Sequence, residues 1–308
     1  MPTGDVLVIG SANLDYIVRV ATPPAPGQTV LARSMIKHPG GKGANQAVAA
    51  ARMGAQVRFI GCVGDDDDGA SLLRELRAEG VDTTAVEIVA HERTGLALVS
   101  VFDSGENSIT VVSGANFALQ AARVKRGLVL SSSSTTIVVL QAEIKTEIID
   151  EAVRASGDGR VVLNLAPYRE LSEETLAVCD PLVVNESEAS AMVGFDVVDT
   201  KSADAALEIL MRRVRSAVIT LGSNGACWAD SAGSGHVAAP PVNAVVDTTG
   251  AGDAFVGALA AELAVGSPIS VATEIGVRAG SFAVERFGAQ SSYPMRADLT
   301  NASAPTTV

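Results

Sequence analysis

Basic and aromatic side chains are scarce in this chain of 308 residues. Lys and Arg number 23 against 35 Asp and Glu, a formal net charge of −12. Nucleic-acid surfaces need clustered cations to replace counterions, and the longest basic cluster here is Arg212, Arg213 and Arg215. No nucleic-acid partner is therefore expected. Cysteines stand only at 62, 179 and 227, and the three histidines are scattered. An odd count of widely spaced thiols fits neither a disulfide framework nor a zinc site, which favours a reducing cytoplasm. No basic residue precedes Arg19, so the charged start of a signal peptide is missing. Long apolar runs are absent too: Ala254 to Gly266 is interrupted by Glu262 and too short to span a bilayer, and no membrane partner is expected.

What remains is an ordinary globular balance, 47% hydrophobic and 19% charged, enough for one large core. Short apolar runs alternate with helical patterns. The strand candidates are Val6–Ile9, Val57–Ile60, Thr136–Leu140, Val161–Asn164, Leu182–Val184 and Ala217–Thr220. Their continuous Val/Ile/Leu character suits strands buried on both faces of a parallel sheet. Helices are expected over Gly43–Met53, Gly69–Glu79, Lys145–Ala155, Ala203–Arg213, Ala251–Ala264 and Ile269–Val284. This alternation predicts an α/β fold with a doubly wound, mostly parallel sheet.

Two excursions depart from it. Residues 12–37 and 92–114 carry alternating strands (Tyr16–Val20, Leu96–Val101, Ser108–Val112) with turn signals at Pro23-Pro24, Pro26-Gly27 and Ser104-Gly105. We expect them to form one small antiparallel β-sheet acting as a lid over a core of residues 1–11, 38–91 and 115–308. Exposed lid strands invite pairing with a second copy, so a homodimer through the lid is expected. The run Ser131–Ser134 is read as a polar loop.

Familiar nucleotide fingerprints are missing. Gly10-Ser-Ala-Asn13 lacks dinucleotide spacing, Gly41-Lys42 is followed by Gly43 rather than Ser or Thr, and the protein-kinase set is absent. The strongest local feature is Asp247-Thr-Thr-Gly-Ala-Gly-Asp253 ahead of a helix. The amides of Gly250, Ala251 and Gly252, with the helix dipole, form an anion hole, and Asp253 can take a proton from a hydroxyl beside it. As a bare first-turn acid Asp253 would only complement the dipole, but two glycines in three positions cost stability in a purely structural helix start. A second glycine-rich turn, Gly40-Gly-Lys-Gly-Ala-Asn45, reads equally as a tight turn for close helix packing. Asn185-Glu-Ser-Glu188 is also a plain capping box. Thr220-Leu-Gly-Ser-Asn-Gly225 can touch phosphates or simply turn the chain between strands. Asp65–Asp68 reads mainly as helix capping, with metal binding second.

In this order and spacing, the motifs resemble the ribokinase-like (PfkB) carbohydrate kinases over nearly the whole chain. Gly40–Asn45 is similar to the family's first signature and Asp247–Asp253 to its second. The resemblance implies an ATP-dependent sugar kinase with D-ribose, phosphorylated at the 5-hydroxyl, as the leading substrate. Fructokinase, deoxyribokinase and nucleoside kinase activities remain open within the fold, and a non-catalytic sugar-binding protein outside the enzyme class. It implies that Asn13, Asp15, Gly41, Lys42, Asn45 and Glu143 bind sugar hydroxyls and that Asp253 is the base. Asn185, Thr220, Gly222, Ser223, Gly225 and Gly252 would hold ATP, and Asn185 and Glu188 would place Mg²⁺ indirectly. A K⁺ site would use Asp247, Thr249, Ala283, Arg286, Gly288 and Ser292. This chain departs from the pattern at Gly250, where Ala is common, at Val256, where Asn is common, and at Asn164-Leu-Ala-Pro167, where Asn-Pro-Ala-Pro is familiar.

Overall fold

Apolar runs too short for helices become buried strands, and the small-residue stretches between them become the helices that cover both faces. The computed structural model describes residues 4–104, 107–131, 136–157 and 159–301. The first part of the chain gives β1 (Asp5–Ile9), β2 (Asn13–Val20), β3 (Ser34–Gly40), α1 (Lys42–Arg52), β4 (Gln56–Ile60) and β5 (Cys62–Gly64). Next come α2 (Asp67–Ala78), β6 (Glu87–Val89), β7 (Gly95–Phe102), β8 (Asn107–Val112), α3 (Ala121–Ser131) and β9 (Ile137–Gln141). The middle holds α4 (Thr146–Ala155), β10 (Arg160–Asn164), α5 (Glu173–Leu176), β11 (Cys179–Asn185), α6 (Glu186–Val193) and α7 (Thr200–Leu210). The last elements are β12 (Ala217–Thr220), β13 (Ala226–Asp230), β14 (Gly233–Val237), α8 (Ala251–Ala264), α9 (Ile269–Ala283) and α10 (Arg296–Asn301).

The main sheet runs β14-β13-β12-β11-β10-β9-β1-β4. From β4 to β12 all neighbours are parallel, and only β13 and β14 are antiparallel. Successive residues of β1 feed opposite cores: Val6 and Val8 pack with α1, α8 and α9, Leu7 and Ile9 with residues of α3, α4 and α7. That is the doubly wound fold expected. After β1 the chain pairs first with β4 on one side and later with β9 on the other. Such a switch point opens a crevice at the carboxyl ends of the strands, where ligands of α/β proteins bind.

The second sheet has the order β3-β2-β7-β8. Its two outer pairs are antiparallel, but the central β2/β7 pair is parallel, so the small sheet is mixed. This follows from its construction: each excursion supplies one hairpin, and the hairpins meet side by side. β3 continues to Gly40, past the expected end of the first excursion at residue 37, and delivers the chain straight into α1. Asp66 caps α2 by accepting from the Gly69 N–H, as the capping reading required. Helix α7 begins three residues earlier than expected because Asp199 and Ser202 form a capping box. Ser131 ends α3, and the rest of the serine run lies outside the described residues, as does Gly105 of the second lid turn. Among the described residues, no helix is long and apolar enough to cross a membrane.

Candidate active site

Every strand bordering the crevice ends on a polar residue that the sequence reading or the structure brings into play. Ser11 follows β1, Glu143 follows β9, and Asn164, Asn185 and Thr220 end β10, β11 and β12. Two helices start at the same level, α1 after Gly41 and α8 after Gly250. Both glycines have left-handed backbones, φ 85° and 76°. A Cβ on Gly41 would lie 2.7 Å from the Asn13 nitrogen, and one on Gly250 2.6 Å from the Tyr293 hydroxyl. Neither position tolerates a side chain without movement, so Gly suits this chain at 250.

Asp253, in the first turn of α8, is 6% exposed. Its Oδ2 accepts from Asn45 Nδ2 (3.0 Å) and its Oδ1 from Gln46 Nε2 (2.9 Å). Gln290 donates in turn to Asn45 Oδ1 (2.9 Å). The carboxylate therefore joins α1 to α8 across a cleft floored by close helix contact. A Cβ on Gly257 would lie 2.4 Å from the Ala49 methyl.

A cavity of about 220 Å³ opens beside Asp253. Lys42, Asp253, Gly250 and Gly252 line it together with Asn185, Glu188 and Thr220. Residues assigned to a sugar and residues assigned to a nucleotide thus share one space. Burial pushes the Lys42 ammonium down, but Asp253, Glu143, Glu188 and Asp15 outweigh it and hold the pKa above the ordinary lysine value. Four carboxylates around one cation favour the charged amine. Asp15, on β2 of the small sheet, feels the same cluster. Burial, then Glu143 and Asp253, push its carboxyl up from 3.8 to about 7, with Lys42 opposing.

The remaining expected sugar contacts gather around the start of α1. Glu143 Oε2 accepts from Ser11 Oγ (2.5 Å) and from the Lys42 N–H (3.0 Å). Asn13 Oδ1 accepts from Asn116 Nδ2 (2.7 Å), and Asn116 Oδ1 accepts from the Ala12 N–H. On the nucleotide side, Asn185 and Glu188 form a complete capping box, Glu188 engaging it through Oε2. Burial raises the Glu188 carboxyl, against the Asn185 amide and Lys42. Gly222 and Ser223 sit in an exposed 3₁₀ turn, and Gly225 (φ 87°) ends it before β13. This is a strand-to-strand turn, and of the 220–225 segment Thr220 lines the cavity while Gly222 and Gly225 do not. Ser223 does not line the cavity.

At the far end of the 247–253 segment, Asp247 accepts from the N–H groups of Thr249 and Gly288, both at 2.9 Å. Burial raises its carboxyl, and the Thr249 and Gly288 bonds more than offset this and hold it below the usual range. Val246 and Asp247 donate to the Val284 carbonyl. The 246–249 and 284–288 loops are therefore tied together. Ala283 is buried in α9, the Ser292 hydroxyl turns back to the Ala289 carbonyl, and Arg286 donates to the Phe282 carbonyl. Gln46, Gln141 and Asn116 belong to this neighbourhood with no local signal for their bonds, because their partners lie far along the chain, and Asn164 was marked only as the start of Asn164-Leu-Ala-Pro167.

A glycine-bounded helix start beside a buried carboxylate, at the switch point of a doubly wound sheet, defines an α/β phosphotransferase for small hydroxylated molecules. The chain belongs to the pfkB family of carbohydrate kinases, whose profile matches residues 3–296. It is 41% identical over 299 residues to the ribokinase of Bacillus subtilis, covering 96% of this chain and 98% of that one. It is 35% identical over 294 residues to the deoxyribokinase of Salmonella typhi, covering 94% and 95%. Among solved structures it is similar to Arabidopsis thaliana ribokinase complexed with ribose and ATP, with a TM-score of 0.88 at 29% identity over 97% of this chain and 98% of that one.

Proposed function

We propose that this kinase transfers the γ-phosphoryl group of ATP to the 5-hydroxyl of D-ribose, giving ribose 5-phosphate and ADP. The observation that carries the reading is Asp253, buried at the open start of α8 in one cavity with Lys42, Asn185 and Thr220. The sugar oxygen bonds to the γ-phosphorus while its proton passes to Asp253. The bond to the β–γ bridging oxygen breaks, and its electron pair leaves with ADP. The first-turn amides of α8, at Gly250, Ala251 and Gly252, hold charge on the transferring group. The Ala251 N–H reaches the Thr248 carbonyl at 3.3 Å, a long contact that a phosphoryl oxygen can displace. Lys42, Asn13, Asp15, Gly41, Asn45 and Glu143 bind the sugar, and Asn185, Thr220, Gly222, Ser223 and Gly225 border the nucleotide.

The oxygen donors of Glu188 and Asn185 suit Mg²⁺ and would help hold it, and the ion would supply charge neutralisation for the phosphates. Asp247, with the carbonyls of the 284–288 loop, suits K⁺ beside the same helix start. The mixed sheet of residues 12–37 and 92–114 acts as the lid, since Asp15 on β2 already senses Asp253 and Glu143. Exposed Met35, Leu98, Ile109 and Val111 on that sheet support a homodimer, and light scattering that finds only monomer at micromolar concentration overturns it. The buried free cysteines Cys62, Cys179 and Cys227 suit the cytoplasm.

A coupled ADP-release assay tests the substrate. Ribose is expected to lead 2-deoxyribose, fructose, fructose 6-phosphate and adenosine in kcat/KM. The similarity to a deoxyribokinase makes 2-deoxyribose the sharpest competitor. Any other sugar in first place overturns the assignment to ribose.

A further inference from the structure

The two oxygens of Asp253 are gripped by amides of very different freedom. We propose that Gln46 is the positioning residue for the base. It anchors Oδ1, while Oδ2, released by Asn45 as the sugar arrives, is the oxygen that receives the proton. The inference rests on Asp253 being the base.

Gln46 has no exposed surface. Both its amide hydrogens are used, by Asp253 Oδ1 at 2.9 Å and by Asn164 Oδ1 at 3.0 Å. Its Oε1 accepts from Gln141 Nε2 at 2.8 Å. Asn164 is itself oriented by donating to the Val183 carbonyl at 3.3 Å. Turning the Gln46 amide over would face its oxygen to two acceptors and its nitrogen to a donor. The neighbours therefore fix its polarity, because a buried mismatch of this kind leaves several groups unpaired. Gln141 ends β9 and Asn164 ends β10, so the chain of amides ties the carboxylate on α8 to the rigid sheet.

Asn45 stands differently. It gives one hydrogen bond to Oδ2 and takes one from Gln290, and it lies at the mouth of α1 among the residues proposed to meet the sugar. A hydroxyl competing for Asn45 or for Oδ2 replaces one bond with another of the same kind. The same exchange at Oδ1 would break a network of four side chains. A proton acceptor needs one fixed oxygen and one available oxygen, and this geometry supplies both.

Three substitutions, alone or combined, test the proposal. Gln46→Met is expected to remain folded by thermal melt and to lower kcat about 10- to 100-fold, the scale of a displaced catalytic group. Its KM for ATP should hold, and the acid limb of its kcat–pH profile should move. In an Asp253→Asn background the same change should cause no further loss. A folded Gln46→Met with wild-type kcat and pH profile overturns the positioning role, as does an equal further loss in the Asp253→Asn background. If Gln46→Met does not fold, Gln141→Leu, which keeps every atom touching Asp253, should still lower kcat, and an unchanged kcat there overturns the proposal. If instead Asp253→Asn itself retains turnover, the base reading fails, and the positioning role with it.

Discussion

Two helices begin on glycine-rich turns within reach of Asp253, and their first amides meet opposite fates. At α1 three successive N–H groups are occupied by the protein: Lys42 by Glu143, Gly43 by the Ser11 hydroxyl at 3.3 Å, and Ala44 by the Ser11 carbonyl. At α8 no side chain caps the start, and nothing lies within 4 Å of where a Cβ on Gly252 would sit. Both helix starts offer a partial positive charge. One is neutralised from within, by a carboxylate that holds a sugar-binding shape. The other carries Asp253 in its first turn but leaves its start without a side-chain cap, open to a ligand. The net charge of −12 is thus no obstacle to an anionic substrate, because phosphate is met locally by amides that no side chain caps.

Removing the acid at the open helix start should have the largest effect. Asp253→Asn is expected to fold, keep the Gln46 contact through its amide oxygen and bind ATP, yet lose about 10²- to 10⁴-fold in kcat. Steady-state kinetics with nucleotide binding measured separately checks this, and a kcat within a few-fold of wild type sinks the assignment.

The filled helix start has a consequence for pH. Burial first, and then the negative charge that Glu143 supplies there, keep Asp15 from ionising cheaply. With a folded pKa of about 7 against 3.8 unfolded, Asp15 keeps its proton longer in the folded state. Stability from this group is therefore complete below about pH 4 and declines as pH rises toward 7. The rise is worth at most about 4 kcal/mol. Asp15→Asn removes the penalty, so the gain in Tm over wild type should be near zero at pH 4 and largest above pH 7. Melting curves across that range check it, and a gain independent of pH contradicts the raised carboxyl.

Local signals carried the sheet and the helix starts, and long-range pairing carried the rest. The Ala-rich run fixed α8 at Ala251–Ala264, and Ala217–Thr220 is β12 to the residue. β3 escaped notice because Ser-Met-Ile-Lys-His-Pro-Gly shows no alternation. As the edge of its sheet it can carry Pro39 without losing a ladder bond. Asp253 was legible from its glycines, and Asn45 as a site residue, but neither Gln46 nor the bonds from these two amides to the carboxylate were. Gln46 lies 207 residues from Asp253 and 118 from Asn164, and no spacing rule joins them. The parallel pairing of β2 with β7 was hidden for the same reason. Alternation marks a half-buried strand without naming its neighbour.

Glu143→Gln probes the comparison most finely, because it changes charge at one helix start and little else. The amide oxygen can still accept from Ser11 and from the Lys42 N–H, so the shape of the α1 turn should survive. What is lost is the negative charge at the helix dipole, worth about 0.3–1 kcal/mol. That predicts a small fall in Tm at about pH 5, where Asp15 keeps its proton in the folded protein. The same loss removes the second-largest cause of Asp15's raised carboxyl, so the pH dependence of stability should shift toward lower pH. At the other helix start nothing has changed. The KM for sugar should therefore rise while the KM for ATP stays within error. Parallel rises in both would mean that the two starts form a single electrostatic site, and the division between a filled end and an open one would have to be abandoned.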